Sequence, residues 1–134
     1  YGVGCKYFSQ DAVIKLAPAA GIDIPAELSL AEKLKFVQKL MEADDPRAIA
    51  IFETIGAYFA YATVQYSQFY NIDYMMLMGR VMSGKGGDTI LKVCNDILAE
   101  EYPELYKKCA VMLPDEKMRR VGQSVAAASL PKIK

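Results

Sequence analysis

The sequence predicts a helix-rich α/β fold with few strands, two of them parallel. Three observations predict it. Long stretches carry apolar residues at helical spacing. Two short apolar runs, "NIDYMMLMG" and "CAVMLP", have the strand signature. A helical pattern separates those two runs, as a parallel crossover requires.

Each element follows in order. "SQDAVIKLAPAAG" starts a short helix with Ser9 as N-cap and ends it by Gly21, with Pro18 breaking the last turn. Ile24-Pro25 marks a turn, and beyond it Leu30, Leu34, Val37, Leu40 and Met41 are spaced to form one apolar stripe on a second helix. Pro46 opens a third, "RAIAIFETIGAYFAYATVQYSQFY", which is apolar around most of its circumference and so is expected to be buried on more than one side. Its tyrosines, Tyr58, Tyr61, Tyr66 and Tyr70, read as helix packing rather than as a platform for a sugar or a base.

The run from Asn71 to Gly79 reads as a strand covered on both faces. A glycine-rich turn follows. Asp88 or Thr89 then caps a helix whose apolar face is Ile90, Leu91, Val93, Cys94, Ile97 and Leu98. "CAVMLP" supplies the second, parallel strand, and "EKMRRVGQSVAAAS" a final helix in which Gly122, Ala126, Ala127 and Ala128 offer a smooth packing surface. There is no internal repeat. The whole reads as a single domain or fragment, 1–134, with a helical part over 1–45 and a helix–strand–glycine turn–helix–strand–helix core over 46–134.

Composition narrows the function classes. The 134 residues carry 16 basic and 16 acidic side chains, so no net field steers the chain toward nucleic acid or an anionic membrane, and Lys117, Arg119 and Arg120 are too few to change that. The apolar runs are too short or are interrupted by Glu53, which argues against a membrane span. Cys5, Cys94 and Cys109 have no metal-ligand spacing and an odd count, which fits a reduced, cytoplasmic setting. No histidine is present, so neither a Ser-His nor a Cys-His nucleophile can be built from this chain alone. We assign no catalytic residue and no metal ligand. The start at Tyr1, without Met, reads as a fragment of a longer protein.

The stretch "LMGRVMSGKGGDTIL" carries the chemistry. Gly79, four residues, then Gly84-Lys85 spell most of a phosphate-cradling loop. Its last position fails, because Gly86 stands where Ser or Thr must ligate magnesium. Glycines still let backbone N–H groups approach an anion, and the following helix adds a favourable N-terminal dipole. Two readings therefore stand: a plain strand-to-helix turn, or a nucleotide loop formed by Gly79, Arg80, Ser83, Gly84, Lys85, Gly86, Gly87 and Asp88. Within it Lys85 either meets phosphate or is merely solvated, Arg80 either seals the loop or makes a surface ion pair, and Asp88 is better explained as a cap than as a ligand to magnesium or ribose. Asp115 imitates the acidic residue of a P-loop enzyme's second motif.

The order of long buried helix, strand "DYMMLMG", glycine turn, helix, strand and late "G-x-x-x-A-A"-like helix resembles the C-terminal part of a ROK-type sugar kinase or ROK-like regulator. The resemblance covers 46–131 and, more loosely, the first 45 residues. It implies the C-terminal portion of an actin-like ATPase (RNase H-like) domain. Met78-Gly79-Arg80-Val81 would be the strand-end turn, Ser83 through Gly87 the nucleotide loop, and Gly122 through Ala127 the closing helix. It implies ATP or ADP with magnesium, and a sugar, as ligands of the full-length protein. The family's catalytic aspartate and N-terminal phosphate loop lie upstream of this chain, so the chain alone is not expected to transfer phosphate. The alternatives are a non-catalytic ROK-like regulator or assembly module, in which "AIAIFETIGAYFAYATV" contributes to a homo-oligomer or interdomain face, and a small P-loop enzyme dependent on Lys85.

Overall fold

Side chains that accept the first free backbone N–H groups decide where the early helices begin. In the computed structural model, which describes residues 3–115, Ser9 Oγ accepts from the Asp11 N–H at 3.2 Å and α2 (Gln10–Leu16) follows, after a single turn, α1 (Cys5–Phe8). Ser29 and Glu32 form a reciprocal capping box at the start of α3 (Leu30–Glu42), the Ser29 N–H donating to Glu32 Oε2 at 2.9 Å. Asp45 caps α4 (Pro46–Ser67) through the Arg47 N–H at 2.9 Å, with Pro46 at the first helical position, as its fixed φ favours. The final helix expected over 116–129 lies outside the described residues.

The α4 helix is the centre of the core. Ala48, Ile51, Phe52, Ile55, Gly56 and Ala60 are buried, and each of the large side chains contributes roughly 1.5–3 kcal/mol by leaving water. Thr63 is buried too, its hydroxyl donating to the Phe59 carbonyl at 2.8 Å. The expectation of burial on several sides holds, since α4 packs against α1, α2, α3 and, along most of its length, α5 (Lys85–Glu101). That packing has a further consequence. Ile51, Phe52, Ile55 and Ala60 are buried inside this chain, so an oligomer or interdomain face on this helix would use its other side chains.

Close approach of α4 and α5 depends on small residues. A Cβ at Gly56 would stand 2.9 Å from the Ile90 carbonyl oxygen and 2.9 Å from Val93 Cβ. At the far end the Tyr61 hydroxyl donates to the Glu101 carboxylate at 3.0 Å, which raises the tyrosine's pKa by tying up its proton. The helical pattern read through 89–109 is two helices. Tyr102 leaves helical geometry ahead of Pro103, whose ring crowds the preceding residue, and α6 (Pro103–Lys108) restarts with that proline at its first position.

The strands β1 (Tyr74–Met76) and β2 (Ala110–Met112) pair in parallel, as expected, with Met75 opposite Val111. α5 and α6 form the crossover between them. One expectation is not met among the described residues: they do not cover β1 on both faces. Val111 belongs to the core, whereas Tyr74 is 72% and Met76 42% exposed on the opposite face, because α5 packs against β2 on one side only among the described residues. The tyrosine reading is corrected in part as well. Tyr58 packs edge-on against Tyr7 and Tyr61 against Tyr102, but Tyr61, Tyr66 and Tyr70 are all exposed, Tyr70 beyond the end of α4. No helix among the described residues is long and apolar enough to cross a membrane.

Candidate functional site: the glycine turn and the cleft at the strand ends

Two glycines bend the chain where β1 meets α5. After the Leu77 N–H donates to the Met112 carbonyl at 2.9 Å, Gly79 adopts φ 120°, a conformation that a side chain resists. Arg80–Met82 then form one 3₁₀ turn, closed by Met82 N–H to the Gly79 carbonyl at 3.1 Å, with Val81 and Met82 buried as its anchor. Gln38 on α3 donates to the Arg80 carbonyl at 3.0 Å and fixes the turn from outside. Gly84, with φ 66°, makes the second bend and becomes the N-cap of α5.

Around the first bend lie two hollows. A cavity of about 820 Å³ sits beyond the carboxyl ends of β1 and β2, with Met78, Gly79, Arg80, Met82, Ser83 and Pro114 in its lining. A smaller one of about 290 Å³, bounded by Phe8, Ser9 and Gln10, shares Met78, Gly79 and Arg80 with it. The outer side of the carboxyl ends of parallel strands is where open α/β sheets bind ligands. The exposed Arg80 guanidinium makes no ion pair among the described residues.

The second bend faces a different way. The Lys85 N–H donates to Glu42 Oε1 at 3.1 Å, so a carboxylate from the end of α3 caps α5. The Lys85 ammonium donates to both carboxylate oxygens of Asp44 at 3.0 Å and to the Glu42 carbonyl at 3.2 Å. Asp44 holds φ 57°, left-handed for a side chain, and that bend aims its carboxylate at the lysine. The next residue, Asp45, is held at about 2 by the side-chain hydrogen bond from Arg47, whose guanidinium also donates to the Gly21 carbonyl at 3.0 Å.

Gly86 and Gly87 belong to the helix, not to a loop. A Cβ at Gly86 would lie 2.5 Å from Phe52 Cε1, and one at Gly87 would collide with the Met82 carbonyl. Asp88 is exposed in the first turn of α5 and is not its cap, nor is Thr89, because the helix starts four residues earlier than Thr89. Of the eight residues read as one nucleotide loop, the fold therefore brings Gly79, Arg80 and Ser83 to the cleft. It joins Gly84 and Lys85 to the α3–α4 corner, and uses Gly86 and Gly87 to seat α5. Glu42, Asp44, Gln38 and Pro114 were not read from the sequence. The acidic run "EADDP" was the one local hint of a partner for Lys85.

Other reactive groups are quiet. Burial, and then the neighbouring Cys109, push the Cys94 thiol up to about 12, and burial raises Cys109 as well. Neither is positioned as a nucleophile. No group of three or more Cys, Asp or Glu side chains able to hold a metal ion occurs among the described residues, so the magnesium that accompanies ATP in the resembled family has no such protein ligand set there. Comparison of the chain with family models, with curated proteins and with solved structures finds no match.

Proposed function

We propose that this chain is the nucleotide-facing, C-terminal part of a ROK-like, ATP-dependent sugar kinase, with phosphoryl transfer dependent on a catalytic aspartate outside it. The observation that carries the reading is the cavity beyond the carboxyl ends of two parallel strands, floored by the positive-φ Gly79 and edged by Arg80 and Ser83. The likeness of element order to ROK proteins supplies the reaction class and the sugar. In this reading the purine lies against the exposed Met78, with Met82 and Pro114 buried behind it, while Arg80 offers a planar cation that can stack on the base or meet a phosphate.

Calorimetric titration of the chain with ADP and with ATP tests it, beside an Arg80→Glu variant that reverses the charge at the rim. Saturable binding with Kd near ~1 mM or tighter, weakened about tenfold or more in the variant, is the expected result. Absence of heat in both proteins would count against a nucleotide half-site. A regulator or assembly module is the second reading, favoured by the exposed apolar face at Tyr74 and Met76 and by the exposed Phe69 and Tyr70. It predicts a concentration-dependent oligomer by sedimentation, unaffected by nucleotide.

A further inference from the structure

We infer that Glu42 is a selectivity residue of this cleft: by seating a carboxylate on the N-terminus of α5 it restricts the turn to the nucleoside part of a nucleotide and keeps phosphate groups away from Gly84–Asp88. The inference rests on the nucleotide reading above and deepens it. The first N–H of α5 and the lysine of this stretch, two features that make it look like a phosphate loop, are already used within the chain. The N–H of Lys85, at the first position of the helix, donates to Glu42 Oε1 at 3.1 Å. Gly84 is what lets that carboxylate in, since a Cβ there would stand 2.6 Å from Glu42 Oε1, and its φ of 66° disfavours a side chain independently. The Lys85 ammonium, the group that would reach a phosphate, is turned back to Asp44 at 3.0 Å and to the Glu42 carbonyl at 3.2 Å.

Local charge follows from this arrangement. The Asp44 carboxylate pairs with the Lys85 ammonium and the Glu42 carboxylate sits on the Lys85 N–H, so two carboxylates meet one lysine at the start of α5, with Asp88 in the same first turn. An incoming phosphate would displace the cap and meet a surplus of like charge. The cleft on the Gly79 side has the opposite character. Among the described residues Leu77, Met78, Met82 and Pro114 line it beside Ser83 and Arg80, so both apolar and polar surface is offered and none of these lining residues is a carboxylate. The glycine turn is thus divided at Gly84: ligand on one side, an internal carboxylate on the other.

The test is an affinity series of adenosine, AMP, ADP and ATP, with inorganic pyrophosphate as the phosphate-only probe, on the 134-residue chain and its Glu42→Ala and Glu42→Gln variants. Wild type should bind the four nucleosides and nucleotides within about threefold of one another and pyrophosphate not at all. Glu42→Ala should raise the ATP-to-adenosine affinity ratio about tenfold. Glu42→Gln keeps the hydrogen-bond acceptor but loses the charge, and should raise the ratio by a smaller factor; it carries the test if Glu42→Ala does not fold. A wild-type preference for ATP over adenosine of tenfold or more overturns the role of Glu42 and leaves the nucleotide cleft standing. A ratio that neither variant changes does the same. Failure of the whole series to bind overturns the cleft itself, and this inference with it.

Discussion

The ring of Phe52, in the second turn of α4, lies against the backbone of Gly86 in the first turn of α5, with Cε1 only 2.5 Å from where a Cβ at position 86 would be. The contact joins the most buried helix to the residue that follows Lys85, so the glycine that spoils a P-loop motif is the one the core requires.

Gly86→Ala and Gly87→Ala should each destabilise the fold by about 1–3 kcal/mol in urea unfolding, because both replacements overpack a filled space. The sign is the informative part. Inside a helix Gly→Ala by itself favours folding by roughly 1 kcal/mol, so a gain of stability in either variant would mean that Phe52 and Met82 do not approach as described.

Lys85→Ala should lower stability by less than about 1 kcal/mol, since its pair with Asp44 is largely solvent-exposed. A double-mutant cycle with Asp44→Ala should return a coupling of a few tenths of a kcal/mol up to that limit. A coupling indistinguishable from zero would remove the corner contact from the account.

Much of the fold was legible because its signals are local. Ser9 and Pro46 mark helix starts by backbone chemistry that does not depend on distant residues, and the parallel pairing of β1 and β2 follows from two short apolar runs with a helix between them. Of the residues read as one nucleotide loop, Gly79, Arg80 and Ser83 are the ones that line the cleft. Gly86 and Gly87 read as loop because glycine is a poor helix former, and only the distant Phe52 together with the Met82 carbonyl explains why small residues sit inside α5. The partnership of Glu42 with Lys85 spans 43 positions and has no periodic signature. The face of β1 that the described residues leave uncovered escaped for a related reason: an unbroken apolar run does not say how many neighbours cover it.

Cys94 should resist alkylation. With its thiol pushed up to about 12, the thiolate that reacts is scarce at about pH 8, and the side chain is buried as well. Peptide mass mapping after iodoacetamide treatment should find Cys94 unlabelled in the native chain and labelled once it is unfolded in denaturant. Equal labelling in both conditions would contradict the packing of α5.

Asp45 ties the start of α4 to acid stability. Its carboxyl is depressed from 3.8 to about 2, first by the side-chain hydrogen bond from Arg47. A depressed carboxylate contributes stability that is present above its unfolded pKa and lost as pH falls through the folded value. Asp45→Asn should therefore unfold more readily than wild type at neutral pH, with the difference closing between pH 3.8 and about 2. A difference that is constant across that window would mean the charge of Asp45 plays no part.

Amide chemical-shift mapping during titration with ADP tests the central claim most directly, because it reports both halves of the glycine turn at once. Saturable shifts are expected at Gly79, Arg80 and Ser83, with Lys85, Gly86 and Gly87 essentially unmoved behind the Glu42 carboxylate. Shifts concentrated at Lys85 through Asp88, with Gly79 and Ser83 silent, would contradict it.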